Sequence, residues 1–201
     1  MAFEHMPVML PECLRALQVK PNGTYVDGTA GGGGHSAAIA KLLKGGRLYA
    51  LDQDPSAIAV LRERLAGLPA TVLQTNFRNA GPLLAEQGVS KIDGVLLDLG
   101  VSSHQLDTAE RGFSYLANAP LDMRMSQQGP TAADLVNTMG RQQLADIFRQ
   151  YGEEPYAWQI AGNIVAKREE QPIVTTERLA EIIRSSVPPA VRRKDKNPAR
   201  K

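Results

Sequence analysis

The spacing of hydrophobic and polar positions over the first hundred residues predicts helices and strands in regular alternation. Leu10, Leu14 and Leu17 recur at helical spacing and predict a first helix over 7–17. Short apolar runs and amphipathic segments then follow one another. Strands are predicted at 25–27, 48–52, 71–74 and 94–98, with helices at 36–44, 55–66 and 80–87. This βαβαβαβ order favours an α/β fold, in which helices cover both faces of a parallel sheet.

The fourth strand differs from the others in its pattern. Val95, Leu96 and Leu97 are apolar at successive positions rather than at alternate ones. Continuous apolar runs are typical of central strands that are buried on both faces of a parallel sheet. We therefore expect this strand to lie inside the sheet.

The alternation stops after Gly100, which predicts a second domain. Residues 102–128 are loop-like, and no strand pattern returns after them. Thr131, with Asp134 three residues later, is a capping pattern at the start of a helix. Helices are predicted at 132–139, 141–151, 155–170 and 176–186. The sequence thus predicts a sheet-containing domain over 1–101 and a helical domain over 102–201.

Composition places the chain among soluble globular proteins. Of its 201 residues 43% are hydrophobic and 22% are charged, and no apolar run approaches the ~20 residues that span a bilayer. Cys13 is the single cysteine, which excludes an intramolecular disulfide and fits a reducing cytoplasm. Three scattered histidines and one cysteine offer no cluster of metal ligands. We expect a cytoplasmic protein without a metal.

The net charge of +2 is unevenly distributed. Residues 190–201 hold six basic side chains against Asp195, whereas the other 189 residues hold 17 basic and 20 acidic ones. A basic tail on a mildly acidic body suits contact with nucleic-acid phosphates, and a solvated chain end explains it equally well.

The segment 27–36 (DGTAGGGGHS) contains four consecutive glycines between a predicted strand and a predicted helix. Glycine weakens both kinds of element, so these residues are not expected to serve packing. They allow a ligand to approach bare backbone beside the N-H groups of a helix N-terminus. A strand, a glycine loop and a helix in this order predict a nucleotide or nucleoside cofactor site.

Three predicted strands end in an acidic residue, namely Asp27, Asp52 and Asp98. Ligands of open parallel sheets bind outside the carboxyl ends of the strands, so we expect the three carboxylates to converge on one crevice. Asp52 follows Asp27 by 25 positions, near the spacing at which an acid hydrogen-bonds ribose hydroxyls.

Two cofactors fit this pattern. Gly32, Gly34 and Ala37 match the dinucleotide pattern G-x-G-x-x-A, which favours NAD. An acid ahead of the glycines favours S-adenosylmethionine, whose ammonium group Asp27 or Asp98 would hold directly or through water. The loop alone leaves both open.

Longer motifs resemble one protein family. The segments 98–107 (DLGVSSHQLD), 110–114 (ERGFS) and 120–125 (PLDMRM) closely resemble the RsmH family, also called MraW. The shorter segments 33–36, 51–55, 151–154 and 197–200 match as well. Members are bacterial methyltransferases that use S-adenosylmethionine to modify N4 of a cytidine in small-subunit (16S) ribosomal RNA. The resemblance implies a Rossmann-like class I methyltransferase sheet, here its first four strands, with an inserted helical domain for substrate recognition.

The resemblance also implies a set of site residues. Cofactor-binding positions carried over from the family are Gly33, Gly34, His35, Asp52, Phe77, Asp98 and Gln105. Transfer to an amine requires an acceptor for its proton, and Asp98 or the Leu99 carbonyl is the candidate. No metal is implied. Methylation at carbon 5 is disfavoured, because that route needs a nucleophilic cysteine.

The helical domain supplies candidates for contact with RNA. Arg111 and Arg124 are candidates for phosphate contact, with a solvated or ion-paired role as the alternative. A target base must leave its stack, and Phe113, Tyr115 or Trp158 would stack on it, although each also suits a core.

The family continues into further strands that this chain lacks, so we expect a truncated chain with an open sheet edge. Two alternatives to the methyltransferase remain: an NAD-dependent oxidoreductase, and a truncated non-catalytic fragment that binds cofactor or RNA.

Overall fold

A computed structural model describes residues 7–194 and residue 199. Lys196, Arg200 and Lys201, which belong to the predicted basic tail, lie outside the described residues, as does most of segment 197–200. The described residues form two compact units, one up to Gly100 and one from Val101 onward. The predicted roles of the two parts of the chain, cofactor binding and substrate recognition, remain predictions.

The first unit has the predicted alternation of strands and helices. Its helices are Leu10–Leu17 (α1), Gly34–Leu42 (α2), Pro55–Arg64 (α3) and Ala80–Glu86 (α4), and its strands are Thr24–Asp27 (β1), Arg47–Asp52 (β2), Ala70–Gln74 (β3) and Gly94–Leu96 (β4). A short 3₁₀ helix, Phe77–Asn79, follows β3. All neighbouring strands are parallel, in the order β3-β2-β1-β4. The predicted parallel α/β fold is confirmed.

The strand order determines where a ligand can bind. From β1 the chain moves outward through β2 to β3, and then crosses to the opposite side of β1 to form β4. The direction of winding therefore reverses between β1 and β4. Such a switch point opens a crevice outside the carboxyl ends of the two strands.

Clusters of apolar side chains pack against the central strands. Tyr25 and Leu48 pack with Ile39 of α2, while Ala50 packs with Ile58 and Leu61 of α3. Burial of these side chains removes apolar surface from water, which is the main stabilising contribution to such a sheet.

The prediction that the fourth strand is buried inside the sheet is wrong. β4 pairs only with β1 and forms an edge of the described sheet, where Val95 is 52% exposed and Leu97 is 43% exposed. The strand ends at Leu96 rather than at the predicted Asp98. An apolar run is buried only where other elements cover it, and the described residues leave much of this one uncovered. The expected open edge at β4 is confirmed.

The second unit is helical. Its helices are Ser103–Asp107 (α5), Ala132–Thr138 (α6), Arg141–Gly152 (α7), Ala157–Glu170 (α8), Thr176–Ser186 (α9) and Pro189–Lys194 (α10), with a 3₁₀ helix at Ala109–Arg111. Their core is built around residues such as Leu144, Ile160, Ile164 and Ile182. Within the described residues the unit contains no strand, and Pro120 and Thr175 form an isolated antiparallel bridge.

The loop predicted over 102–128 contains α5, which sequence analysis missed. Ser102 accepts a hydrogen bond from the Gln105 backbone, and the Gln105 side chain accepts one from the Ser102 backbone. This capping box satisfies N-H groups at the start of a helix that is too short for its periodicity to be read. The S-x-x-Q spacing was the available signal.

Candidate functional site

The turn after β1 lies at the switch point and connects the three predicted acids. The Thr29 N-H donates to Asp27 Oδ1 at 3.2 Å, and the Asp98 N-H donates to Thr29 Oγ1 at 2.6 Å. The Gly31 N-H donates to Asp52 Oδ2 at 2.8 Å. The ends of β1, β2 and β4 therefore meet around one turn, as expected for parallel strands.

Asp27 does not face the crevice, which corrects the expectation that it could hold a ligand's ammonium group. Its side chain is 1% exposed, and its second oxygen accepts a 2.6 Å hydrogen bond from Ser36 Oγ in the first turn of α2. Burial raises the pKa of the Asp27 carboxyl, while the bonds from Ser36 and Thr29 lower it. Asp27 is thus a structural link between β1, the turn and α2.

Asp52 and Asp98 are available to a ligand in different ways. Each oxygen of Asp52 accepts one backbone N-H, from Gly31 and from Asp54, at 2.8 Å. A carboxylate has about four acceptor sites, so two remain. Asp98 is exposed, and its carboxylate makes no hydrogen bond or ion pair within the described part of the chain.

The four glycines fall into two pairs. A Cβ atom at Gly31 or Gly32 would meet no atom closer than 3.9 Å, so the space beside them is open. A Cβ at Gly33 would come within 2.9 Å of Leu61, and one at Gly34 would overlap Pro7. The expectation that the glycines do not serve packing is therefore wrong for the second pair, which lies against protein.

His35 also takes part in this packing. Its ring is 8% exposed, and Nε2 lies 3.1 Å from the Val8 carbonyl oxygen. Since a carbonyl only accepts, Nε2 carries the proton. The segment before α1 is thus held against the start of α2 by His35 and by the contact of Pro7 with Gly34. Pro7 precedes Gly34 by 27 positions, and no local pattern signals the contact.

Phe77 lies at the end of β3, in the 3₁₀ helix, and is 40% exposed. A Cβ at Gly28 would touch the Phe77 Cβ at 3.0 Å and would collide with Leu97. Gly28 therefore lets Phe77 and Leu97 approach the turn from β3 and β4. Sequence analysis did not find Leu97, because its apolar run indicated a buried strand.

Gln105 lies in the second unit, where it is 6% exposed and caps α5. The structure thus gives it a local role, and its predicted contact with the cofactor remains a prediction.

The arginines predicted to contact phosphate bond to protein groups. The Arg124 side chain donates to both oxygens of Asp122, from Nε to Oδ1 at 3.0 Å and from Nη2 to Oδ2 at 2.6 Å, and these bonds hold the pKa of the Asp122 carboxyl below its ordinary value. Arg111 donates to the carbonyls of Arg124 and Met125. Arg124 therefore has the ion-paired role of the alternative interpretation, and Arg111 is hydrogen-bonded to backbone carbonyls.

Within residues 7–194 and 199, no group of three or more His, Cys, Asp or Glu side chains is placed to hold a metal ion. None of the helices in these ranges has the length and apolar character needed to cross a membrane.

Comparison with known proteins adds a family. Residues 2–201 match the model of the MraW methylase family. The chain is 50% identical over 206 residues to the ribosomal RNA small subunit methyltransferase H of Heliobacterium modesticaldum, covering 100% of this chain and 66% of that protein. It is 48% identical over 205 residues to the protein of the same name from Brevibacillus brevis, covering 100% and 65%. The chain thus spans about 65% of the length of these curated relatives.

Among solved structures, a putative rRNA methylase from Clostridium thermocellum is similar over 47% of this chain and 55% of that one, with 24% identity and a TM-score of 0.40.

Proposed function

The chain belongs to the MraW methylase family, and we propose that it transfers a methyl group from S-adenosylmethionine to N4 of a cytidine in the RNA of the small ribosomal subunit. The observation that supports this proposal is the turn at the switch point. Gly31 and Gly32 have open space beside them there, and the Gly31 N-H donates to the Asp52 carboxylate. The backbone of Asp98, whose carboxylate makes no hydrogen bond within the described residues, bonds to Thr29 of the same turn. The relatives named as small-subunit rRNA methyltransferases support the substrate. Acting on ribosomal RNA, the protein would work in the cytoplasm.

The residues around the turn fit the proposed donor, which supplies an activated methyl group on a positively charged sulfur. Asp52 would accept hydrogen bonds from the two ribose hydroxyls through its free acceptor sites. The half-exposed Phe77 would lie against the adenine. The Asp98 carboxylate suits an ammonium group, and a cation beside an unpaired carboxylate is favourable.

The glycines contribute through their backbone. We place the donor beside Gly31 and Gly32, where the structure leaves open space. Gly34 and His35 would contribute N-H groups at the start of α2, because the first N-H groups of a helix have no partner within it. The Gly33 N-H already donates to the Ala30 carbonyl at 2.7 Å, so Gly33 would contribute by holding the turn beside the donor.

Proton transfer from the target amine is the main chemical task left to the protein. Nitrogen becomes a better nucleophile as its proton leaves, so an acceptor must lie at the strand end. We propose Asp98 or the Leu99 carbonyl for this role. The Thr29 hydroxyl fixes the Asp98 backbone, and the Gly28 N-H bonds to the Leu96 carbonyl at 2.9 Å. These two bonds hold the end of β4 against the glycine turn, although β4 pairs with β1 alone among the described strands.

The reaction is tested by tritium transfer from labelled S-adenosylmethionine to small-subunit RNA, with mass spectrometry of the methylated nucleoside. Calorimetry with the same donor measures binding separately. Binding of NADH in place of the donor would identify the oxidoreductase and contradict the proposal. Binding of donor without transfer would identify a non-catalytic protein.

Asp98→Asn separates the two roles of Asp98. If the carboxylate accepts the amine proton, turnover falls by on the order of 10² while donor affinity, measured by calorimetry, stays nearly unchanged. The matched surface control is Asp146→Asn on α7, which should leave both quantities unchanged. A parallel loss of affinity and turnover would assign Asp98 to the donor's ammonium and the proton to the Leu99 carbonyl.

A further inference from the structure

The ring of Trp158, on α8 of the second unit, has an arginine from the neighbouring helix over one of its faces. The Arg141 guanidinium carbon lies 4.1 Å from the centroid of the Trp158 ring. Nε and Nη2 of Arg141 donate to the Trp158 carbonyl at 3.2 and 3.1 Å. The guanidinium is therefore fixed both by a cation–π contact and by two hydrogen bonds.

Gly162 leaves room for this arrangement. It lies one turn after Trp158 in the interior of α8, where glycine weakens a helix relative to alanine. A Cβ at Gly162 would come within 2.8 Å of the Arg141 Cζ, Nε and Nη2 atoms. A side chain at position 162 would therefore displace the guanidinium from its present place.

The pair is exposed and carries an unbalanced positive charge. Trp158 is 47% exposed and lies apart from the buried face of α8, which is formed by Ala157, Ile160, Ala161 and Ile164. In the described portion of the chain no carboxylate pairs with Arg141, whereas the exposed Arg149 on the same helix pairs with Asp146. Nη1 of Arg141 likewise has no hydrogen-bond partner there.

An exposed aromatic ring beside a fixed cation matches the two parts of an unpaired nucleotide. A base stacks on an aromatic face whatever its sequence, and a guanidinium binds the adjacent phosphate. A base inside a duplex is already stacked on its neighbours and offers no free face. An acidic peptide would use the guanidinium but not the ring.

We propose that Arg141 and Trp158 form a binding site for an unpaired RNA nucleotide, with the base on the face of Trp158 opposite the guanidinium and a phosphate on Arg141. Its biological meaning rests on the proposed RNA substrate, but the site is independent of the residues at the glycine turn.

Trp158 is the only tryptophan in the chain, so its fluorescence reports on this site directly. Titration of the protein with a single-stranded RNA of about 10 nucleotides should quench the emission to saturation. A duplex of the same sequence and inorganic phosphate alone should not. Failure of the single-stranded RNA to quench, or equal quenching by the duplex, overturns the proposal; saturable quenching by an acidic peptide and not by RNA assigns the surface to a protein partner.

Variants test the two halves of the site through the anisotropy of labelled RNA. Trp158→Leu and Arg141→Met should each weaken binding about tenfold, while Trp158→Phe, which keeps an aromatic face, should retain most of it. Arg149→Met is the matched control and should bind as the parent does. Melting temperatures verify that each variant folds, and Trp158→Leu binding as tightly as the parent overturns the proposal.

These readouts separate the site from the proposed reaction. Quenching by single-stranded RNA without methyl transfer supports the site and contradicts the methyltransferase proposal. Methyl transfer without quenching supports the methyltransferase proposal and contradicts the site at Arg141 and Trp158.

Discussion

At the scale of single residues, the glycine turn shows that identical neighbours have different roles. Gly31 and Gly32 lie beside open space, whereas Gly33 lies against Leu61 and Gly34 against Pro7. The sequence pattern assigns all four to a ligand. In the structure, α3 and the segment before α1 pack against Gly33 and Gly34, so only Gly31 and Gly32 remain beside open space.

Two alanine variants distinguish these pairs. Gly32→Ala should leave the melting temperature of the free protein nearly unchanged, because Gly32 has ordinary backbone angles and open space. It should weaken S-adenosylmethionine binding by about 1–3 kcal/mol, because the methyl group enters the proposed donor space. Gly34→Ala should instead destabilise the free protein by a similar amount, because it displaces Pro7. Calorimetry measures donor binding, and thermal melting measures the stability of the free protein. Equal melting temperatures of the two variants would contradict the division of the four glycines into two pairs.

The buried Asp27 predicts a pH-dependent stability. Its folded-state pKa lies above the ordinary 3.8 because burial penalises the charged form. Its stabilising contribution is therefore complete below pH 3.8 and is lost as the pH rises through the raised pKa.

Asp27→Asn removes this titration and leaves Ser36 a partner of similar shape. The variant should gain stability relative to the parent as the pH rises from about 3 to 7. Denaturant unfolding at several pH values measures the difference, with the exposed Asp146→Asn as a control. A difference that stays constant over this range would show that Asp27 has no raised pKa.

At the scale of elements, the short helices depend on their caps. α6 has seven residues, and Thr131 and Asp134 bond to each other's backbone N-H groups at its start, as the sequence predicts. A helix this short gains little from its own propagation, so caps and packing decide whether it forms.

Thr131→Ala should therefore lower the free energy of unfolding by about 1 kcal/mol, because N-H groups at the start of α6 lose their partner. Thr131→Ser keeps the hydroxyl and should stay near the parent. Denaturant unfolding followed by Trp158 fluorescence, which reports on the second unit, measures both. Equal loss in the two variants would assign the effect to the threonine methyl group rather than to the cap.

At the scale of the whole molecule, each unit has its own core, and β4 is an edge strand of the sheet that the described residues form in the first unit. Exposed N-H and C=O groups on an edge strand favour pairing with another chain, and exposed apolar side chains add to this tendency. Val95 and Leu97 place such side chains at this edge.

We expect the 201-residue chain to associate as its concentration rises, and Val95→Lys to reduce the association, because a lysine on an edge strand opposes pairing. Sedimentation velocity at several concentrations measures this. Ile92→Lys, at an exposed apolar position outside the strand, is the comparison. Monomeric sedimentation of the parent at all concentrations would show that the edge does not pair.

The sequence by itself determined the order of elements along the chain, the parallel sheet, the glycine turn with Asp52 at the end of β2, and the cap at Thr131. It placed Asp98 at the end of β4, which in the structure ends two residues earlier, at Leu96. Periodicity, turns and caps depend on residues within about four positions of one another, so they can be read along the chain. The long motifs indicated the protein family, and the match to the MraW methylase family model confirms it.

Only the tertiary structure decided which groups are covered. In the fold Asp27 is buried beneath the turn, and Val95 of β4 is exposed. Pro7 lies against Gly34, and Arg141 lies against Gly162 and over the Trp158 ring. These features depend on partners that lie far away in sequence and approach from other elements. Burial is a property of the assembled fold, and no local pattern records which distant side chain will occupy a given space.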